Sequence, residues 1–445
     1  MENKDVNRGY HILTYGCQMN VRDSEIIAGF VEDMGYQAVD LETADLVVLN
    51  TCSVRHSAEN KVFGKLGELK HLKKKKPAMI VALGGCMPQT PGMVERLKKM
   101  DVDIVFGTFN IHELPRLIEE AQESRKPVVR VWEKHGPIIE PLPSIRNAGV
   151  SAFVNVMYGC NNFCSYCIVP YTRGRERSRH PEAIINEVEA LAAQGYKEIT
   201  LLGQNVNSYG RGLQEKVDFA DLLHRVNQVS GLERIRFMTS HPKDMSQRLI
   251  DAIAEENKVC EHIHVAMQSG SNKVLQRMNR AYTRDHFLAL TEKIRQRIPD
   301  IVLSTDIIVG FPGETEADFL DTLDMVEKIR FETAFTFMYS VREGTRAASL
   351  EDQVDLETKK NRLLRLNKVQ YQLAYQFNKS LEGTIQEVLV EGPSKTDPDL
   401  LTGRTRGNTI VIFPGGKDLI GRLIHVRITE GKTFSIFGEP IQATG

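Results

Sequence analysis

Three of the seven cysteines in the 445-residue chain fall within eight positions, as Cys160-Asn-Asn-Phe-Cys164-Ser-Tyr-Cys167. Three thiolates on one loop can hold three irons of a 4Fe-4S cube and leave the fourth iron open. An open iron can chelate the amino and carboxylate groups of S-adenosylmethionine and pass it an electron, which is how a radical enzyme begins its reaction. Clustered cysteines can also hold a structural zinc, but zinc takes four closed ligands and nothing near this loop supplies the fourth.

Cys17, Cys52 and Cys86 are far apart in sequence, yet each follows a short run that reads as a strand: Tyr10–Tyr15, Asp45–Asn50 and Ala78–Leu83. In an open parallel sheet the carboxyl ends of the strands are neighbours, and ligands bind there. Three cysteines at that edge can converge on a second cluster with another open iron. The alternative is three buried cysteines acting as small hydrophobes. Their polar or glycine neighbours (Gly16 and Gln18; Thr51 and Ser53; Gly85, then Met87-Pro88) favour loops. Cys260, just before a predicted strand, reads as buried. A sparse, odd cysteine count argues against a disulfide framework.

The elements that must position these residues are α/β. The first segment alternates apolar runs with helical patterns, as in Ile26, Ile27, Phe30, Val31 and Met34 before Gly35, and Ile104–Phe106 continues the series. Such alternation predicts a parallel sheet covered on both faces. The domain spans 8–124. Residues 125–145, with Pro127, Pro137, Pro141 and Pro143, read as a linker. Residues 146–378 repeat strand and helix. The strands are predicted at Ala152–Met157, Glu198–Leu202, Arg234–Met238, His262–Met267, Val302–Val309 and Ala334–Met338. Six such units curl into a partial (β/α)6 barrel, whose chemistry belongs at the carboxyl ends of its strands. Leu356–Ser380 is one long helix with an apolar stripe at Leu366, Val369, Leu373 and Phe377. From 379 to 442, short strands (Gly383–Val390, Thr409–Phe413, Leu423–Ile428, Thr433–Phe437) between glycine-rich turns predict a small β-barrel.

The chain resembles the methylthiotransferase family of radical-SAM enzymes over nearly its whole length. The resemblance is carried by TYGCQMNVRDSE around Cys17, NTCSVR around Cys52, GGCMPQ around Cys86 and GCNNFCSYCIVPYTRGRERSR around the other three. It implies an amino-terminal methylthiotransferase domain, a radical-SAM core barrel and a carboxyl-terminal TRAM RNA-binding domain. The Asn161-Asn162 pair and NTCSVR favour the branch acting on N6-isopentenyl (dimethylallyl) adenosine at tRNA position 37. The alternative substrates are threonylcarbamoyl-adenosine in tRNA or a ribosomal-protein aspartate. The implied reaction adds a methylthio group to carbon 2 of the adenine, using two S-adenosylmethionine molecules. Cys160, Cys164 and Cys167 would hold the radical-SAM cluster, and Cys17, Cys52 and Cys86 an auxiliary 4Fe-4S cluster that carries the sulfur. The implied partners are the tRNA anticodon stem-loop, a low-potential electron donor such as flavodoxin, and a sulfur donor.

Three further segments sit at predicted strand ends. Gly203, Gln204 and Asn205 stand where the family holds the methionyl amino group; a polar βα turn explains them equally well. Gln268 and Ser269 can hydrogen-bond a ribose, while Ser271 reads as a helix cap. Gly310 and Phe311 open a glycine-rich turn whose backbone can approach adenine. His262 and His264 share one strand face but lack a third ligand at matching spacing, so they read as interior histidines. Arg173, Arg175, Arg177 and Arg179 alternate after the cysteine loop and can contact phosphates or the cosubstrate carboxylate. The basic face of Leu356–Ser380 is a second candidate RNA surface.

Composition bounds the rest. Hydrophobic residues are 41% and charged residues 26%, enough for buried cores in a soluble chain. A formal net charge of −1 excludes a global basic field, so nucleic-acid binding must rest on local patches. The polar opening MENKDVNRGYHIL is unlike a secretory signal, and no apolar run is long enough for a bilayer. These features predict a cytoplasmic protein with no membrane contact. The lack of an apolar interface helix predicts a monomer.

Overall fold

Leu46–Thr51 is buried at all six positions, and its side chains divide between two cores. Leu46 and Val48 join Ile27, Val31, Phe106 and Leu117 on one face. Val47 and Leu49 join Val62, Leu66, Leu83 and Leu97 on the other. Because successive side chains of a strand point to opposite faces, an unbroken apolar run requires helices on both. The computed structural model meets that requirement with a six-stranded sheet, every pair parallel. Its order is Tyr36–Ala38, Arg8–Thr14, Leu46–Thr51, Ile80–Gly85, Ile104–Phe106, Val128–Arg130. The described residues are 8–54, 56–146 and 149–441. Arg55 of the NTCSVR string, most of the polar opening, Asn147 and residue 442 lie outside them.

The strand Val128–Arg130 corrects the reading of 125–145 as a linker, since its first residues complete the sheet. Tyr36–Ala38 is likewise a strand that the pattern did not predict. Three-residue strands are too short to show a period, and only pairing with a neighbour defines them.

The chain divides into two compact units, one of residues 1–147, 158–177 and 340–348, the other of 148–157, 178–339 and 349–445. The CxxxCxxC loop therefore belongs with the amino-terminal sheet, so all six candidate cluster cysteines lie in the first unit.

The second unit holds six parallel strands in sequential order: Ser151–Asn155, Glu198–Leu202, Arg234–Phe237, His262–His264, Val302–Val309 and Thr333–Met338. Isolated parallel bridges join the third strand's neighbourhood to the fourth's. Ile199, Leu201, Ile235, Phe237, Ile263, Ile307 and Val309 pack outward into one large core with the surrounding helices. Leu356–Ser380 is a single helix, and Leu366, Val369 and Leu373 of its stripe pack on that core.

The carboxyl-terminal residues close a five-stranded barrel in the order Ile385–Pro393, Leu400–Thr405, Ile410–Pro414, Ile436–Pro440, Leu423–Gly431. Leu400–Thr405 was not predicted, because Gly403 breaks its pattern; a Cβ there would lie 2.4 Å from the Leu389 carbonyl of the adjoining strand. This small barrel is bolted to the large one by arginines. Arg234, fully buried, donates to the carbonyls of Arg404 (2.8 Å) and Glu387 (3.0 Å) and to Glu387 Oε1 (2.8 Å). Arg236 donates to the Thr405 and Arg406 carbonyls, both at 2.7 Å, and to Glu198 Oε2 at 2.8 Å. Glu198 and Arg234 open their strands, so the small barrel is anchored at the amino ends, opposite the ends where barrel chemistry gathers. Among the described residues no helix is long and apolar enough to cross a membrane.

Candidate functional site

Three strand ends bring Cys17, Cys52 and Cys86 together, and two asparagines hold them there. Cys17 precedes the helix Gln18–Asp33 as its cap, with its amide and thiol both 3.4 Å from Asn20 Oδ1. Asn20 Nδ2 donates to Asn50 Oδ1 and to the Thr51 carbonyl, each at 3.2 Å. Asn50 Nδ2 donates in return to the Asn20 carbonyl (2.8 Å) and Ser24 Oγ (3.0 Å). Thr51 Oγ1 reaches the Gly84 carbonyl at 2.6 Å, and the Cys86 amide donates to the Thr51 carbonyl at 2.8 Å. The loop before Cys17 lies against Cys52: a Cβ on Gly16 would sit 3.0 Å from Cys52 Cβ.

Charge is managed by one ion pair. Arg173 and Asp23 are both buried and meet at 2.7 Å. Burial alone would lower the Arg173 pKa, but the Asp23 carboxylate beside it holds the guanidinium firmly charged. Burial pushes the Cys86 thiol up to about 12, with Arg173 pulling down and Cys52 and Cys17 adding to the rise. Without a metal the Cys86 thiol is therefore neutral; a bound metal lowers the pKa of a coordinating thiol and takes the thiolate.

The second set is local. Cys160 is buried, while Cys164 and Cys167 are half-buried. Gly159 and Gly174 both adopt φ +77°, and the Cys160 amide donates to the Gly174 carbonyl at 3.1 Å. A Cβ on Gly159 would lie 2.1 Å from the Arg175 carbonyl, so only glycine passes here. The Cys167 amide closes a turn on the Cys164 carbonyl at 2.9 Å.

The donors suit iron–sulfur clusters. Both sets are thiols, and backbone amides approach the sulfurs: Val54 N to Cys52 Sγ at 3.3 Å and Asn162 N to Cys160 Sγ at 3.5 Å. Amide hydrogen bonds to cysteine sulfur are a lever on cluster potential. Among the described residues no three histidine, cysteine or acidic side chains close on a single metal ion. A cube instead takes each thiolate on a different iron.

In the second unit, the carboxyl ends of the barrel strands expose polar atoms to no protein partner. Both side-chain atoms of Asn155, Ser240 Oγ and Gln268 Oε1 are buried without a hydrogen bond. Buried polar atoms are normally bonded, so an unbonded group at a barrel mouth marks a place for a polar ligand. Gln268 also adopts φ +66°, a conformation side chains seldom take. Gly310 has φ +70°, and its amide donates to Glu314 Oε1 at 2.8 Å. Burial raises the Glu314 carboxyl to about 7, against the pull of the Gly310 amide and of Arg362, 2.8 Å away.

Other candidates have internal roles. Asn205 donates to Asp244 at 2.7 Å and accepts from the His241 amide at 3.1 Å, tying two loops. Gly203 leaves no room for a side chain, since a Cβ would lie 2.5 Å from Met157 Cγ. Gln204 follows it in the same loop. Ser269 Oγ lies 3.3 Å from Thr322 Oγ1, and Ser271 caps the helix Asn272–Arg277. The Phe311 ring is fully buried, edge-on to Tyr339 with centroids 5.3 Å apart. His262 and His264 share Ser304 Oγ at 3.0 Å each, as interior histidines do. Cys260 is buried.

The alternating arginines are not one phosphate-binding face. Arg173 is spent on Asp23, Arg177 donates to the Gly136 carbonyl at 2.7 Å, and Arg179 donates to the Asn155 carbonyl at 2.6 Å and Glu187 at 2.7 Å. Arg175 is exposed, over the Phe163 ring at 4.3 Å. Regular strand in this segment is confined to Arg177–Ser178. Much of the basic face of Leu356–Ser380 is also paired, Arg362 with Glu314 and Arg365 with Glu316 at 2.6 Å, which leaves Lys360 and Lys368 exposed. Asn20, Asn50, Asp23 and Arg173 were not singled out as a positioning network, although all four lie inside the cysteine-bearing strings.

Three family models match separate stretches of the chain. Residues 9–107 match the family described as uncharacterized protein family UPF0004, residues 154–326 the radical SAM superfamily, and residues 379–441 the TRAM domain. The chain is 68% identical to a Syntrophomonas wolfei protein named tRNA-2-methylthio-N(6)-dimethylallyladenosine synthase, over 97% of each. A protein of the same name from Alkaliphilus oremlandii is 54% identical, over 99% of this chain and 94% of its own. Among solved structures, the radical S-adenosylmethionine methyltransferase TsrM from Kitasatospora setae, with cobalamin and a 4Fe-4S cluster bound, is similar with a TM-score of 0.56. At 15% identity, over 77% of this chain and 74% of that one, the likeness is one of fold alone.

Proposed function

This chain belongs to the tRNA-2-methylthio-N(6)-dimethylallyladenosine synthase family, and we propose that it performs the reaction in that name. It replaces the hydrogen on carbon 2 of N6-dimethylallyl adenosine, at tRNA position 37 beside the anticodon, with a methylthio group. The observation that carries the proposal is the sorting of six cysteines into two sets of three, one on a single loop and one gathered from three strand ends.

Cys160, Cys164 and Cys167 hold one 4Fe-4S cluster and Cys17, Cys52 and Cys86 a second, auxiliary one. When bound, the clusters and two S-adenosylmethionine molecules supply the electron, the radical, the sulfur and the methyl group. The chain's own residues position and shield. Asn20 and Asn50 keep the three strand-end cysteines in register. Arg173, itself buried, offsets thiolate charge beside Cys86 and Cys17. Asn155, Ser240 and Gln268 offer polar atoms to the cosubstrate at the barrel mouth, beside the Gly203-Gln204 turn, and the Gly310 turn lets backbone approach its adenine. The side chains of Asn205, Ser269 and Phe311 support these loops from behind. The TRAM barrel, with Lys360 and Lys368 of the long helix, takes the tRNA anticodon stem-loop. Electrons come from a low-potential donor such as flavodoxin and sulfur from a separate donor.

Anaerobic reconstitution tests the reading. Wild type is expected to hold about eight irons per chain, falling to about four in the Cys17→Ala/Cys52→Ala/Cys86→Ala variant, because each cube carries four. Wild type is expected to methylthiolate tRNA bearing dimethylallyl adenosine. Four irons in both proteins, or methylthiolation only of threonylcarbamoyl-adenosine or of a ribosomal-protein aspartate, overturns it.

A further inference from the structure

Residues of the barrel strands that pack on the helices identify, by alternation, those that line the interior. Leu303, Ile307 and Val309 belong to the outer core, so Ser304, Asp306 and Ile308 face inward. In the last strand Ala334 and Met338 pack outward, and Thr336 donates to Asn367 of the long helix at 2.6 Å. Phe335 and Phe337 therefore face inward. The Phe335 ring centroid lies 5.9 Å from that of His264, another interior residue.

The lining changes character around the barrel. Glu198, Arg234, Arg236, His262 and His264 make it charged and polar, and each is buried and hydrogen-bonded. On the last two strands Ile308 is only half-buried, and Phe335 and Phe337 are 45% and 37% exposed. Phenylalanines of a closely packed interior do not ordinarily stay in water; an apolar wall left open inside a cleft is a ligand contact. The parallel register sets Asp306 beside Phe335 and Ile308 beside Phe337. The Asp306 carboxylate lies 3.3 Å from His264 Nε2. Ile308 stands two residues before Gly310, and Phe337 two before Tyr339, so the wall runs up to the polar mouth already described.

We propose that Ile308, Phe335 and Phe337 are the wall on which the N6-dimethylallyl group packs, and that Asp306 beside them rejects N6 substituents bearing a carboxylate. The proposal rests on the function given above. The dimethylallyl group is a branched, uncharged hydrocarbon that gains from apolar contact and meets no charge repulsion from a carboxylate. A threonylcarbamoyl group brings its own carboxylate toward Asp306, so attraction to one substrate and repulsion of the other act together.

The test uses reconstituted enzyme and anticodon stem-loops carrying dimethylallyl, threonylcarbamoyl or unsubstituted adenosine, with dissociation constants and kcat/KM as readouts. Wild type is expected to prefer dimethylallyl over unsubstituted adenosine. Phe335→Ala/Phe337→Ala is expected to reduce that ratio at least about tenfold, with binding of the unsubstituted stem-loop unchanged, because losing apolar contacts in a pocket costs about 10–200-fold in discrimination. Asp306→Asn is expected to strengthen binding of the threonylcarbamoyl stem-loop. An unchanged dimethylallyl ratio in the double variant, with full iron content, overturns the wall. If that variant loses iron, the pair Phe337→Leu and Phe337→Asn decides: Leu keeps the ratio and Asn lowers it, and equal ratios overturn the proposal. If wild type fails to modify dimethylallyl adenosine at all, the functional reading fails, which is a separate result.

Discussion

Cys160, Cys164 and Cys167 lie on one short loop shaped by its own backbone, with two left-handed glycines and a bond from Cys160 to Gly174. Cys17, Cys52 and Cys86 come from three different strand ends, and their meeting depends on buried side chains: Asn20 locked to Asn50, and Arg173 locked to Asp23 across 150 positions of sequence. The loop can keep its shape while its surroundings loosen, because its constraints are local. The strand-end site exists only while the sheet is folded and its buried polar groups stay satisfied. A site assembled by tertiary contacts is thus the more fragile of the two, and single substitutions should separate them.

The largest separation is expected from Arg173→Ala. Removing one partner of a buried pair leaves Asp23 charged and alone, at a cost of about 3–5 kcal/mol. Thermal or urea unfolding should show the loss, and iron analysis should show the auxiliary site emptied first. Loss of both clusters in equal measure would break the comparison, since Arg173 follows the loop in the chain. Asn50→Ala comes next, at about 2–3 kcal/mol, because Asn20 and Ser24 lose their buried partner. Iron per chain should fall by up to half while the spectrum of the loop's cluster persists; full iron content with unchanged stability would remove the asparagines from the account. The smallest effect sharpens the contrast without a mutation. In protein stripped of iron but still folded, a thiol alkylating reagent at mildly alkaline pH should label half-buried Cys164 and Cys167 well before buried Cys52 and Cys86, as peptide mapping would read. Equal labelling would mean that the strand-end site opens as readily as the loop.

How much of this could be read beforehand differs by element. The six barrel strands and the helix Leu356–Ser380 were legible because each lies in a sequence run long enough to show its period, the short strand His262–His264 within the run His262–Met267. Tyr36–Ala38, Val128–Arg130 and Leu400–Thr405 were not; two are three residues long, and the third is interrupted by a glycine that the neighbouring strand requires. The cysteines were legible as ligand candidates from residue type and from their places after apolar runs. The roles of Arg173, Arg177 and Arg179 were not legible, because their partners, Asp23, the Gly136 carbonyl and Glu187, lie on other elements.

The sequence by itself determined the chemistry: which side chains are thiols, which three share a loop, and which runs must be buried on both faces. These follow from residue type and from contacts within a few positions. Tertiary structure alone decided which groups meet. It brought three strand ends to one edge, neutralised Arg173 with Asp23, satisfied the paired histidines with Ser304, and left Phe335 and Phe337 uncovered inside the barrel. Those outcomes depend on distances between residues remote in the chain, which packing of the whole core sets and no local pattern encodes.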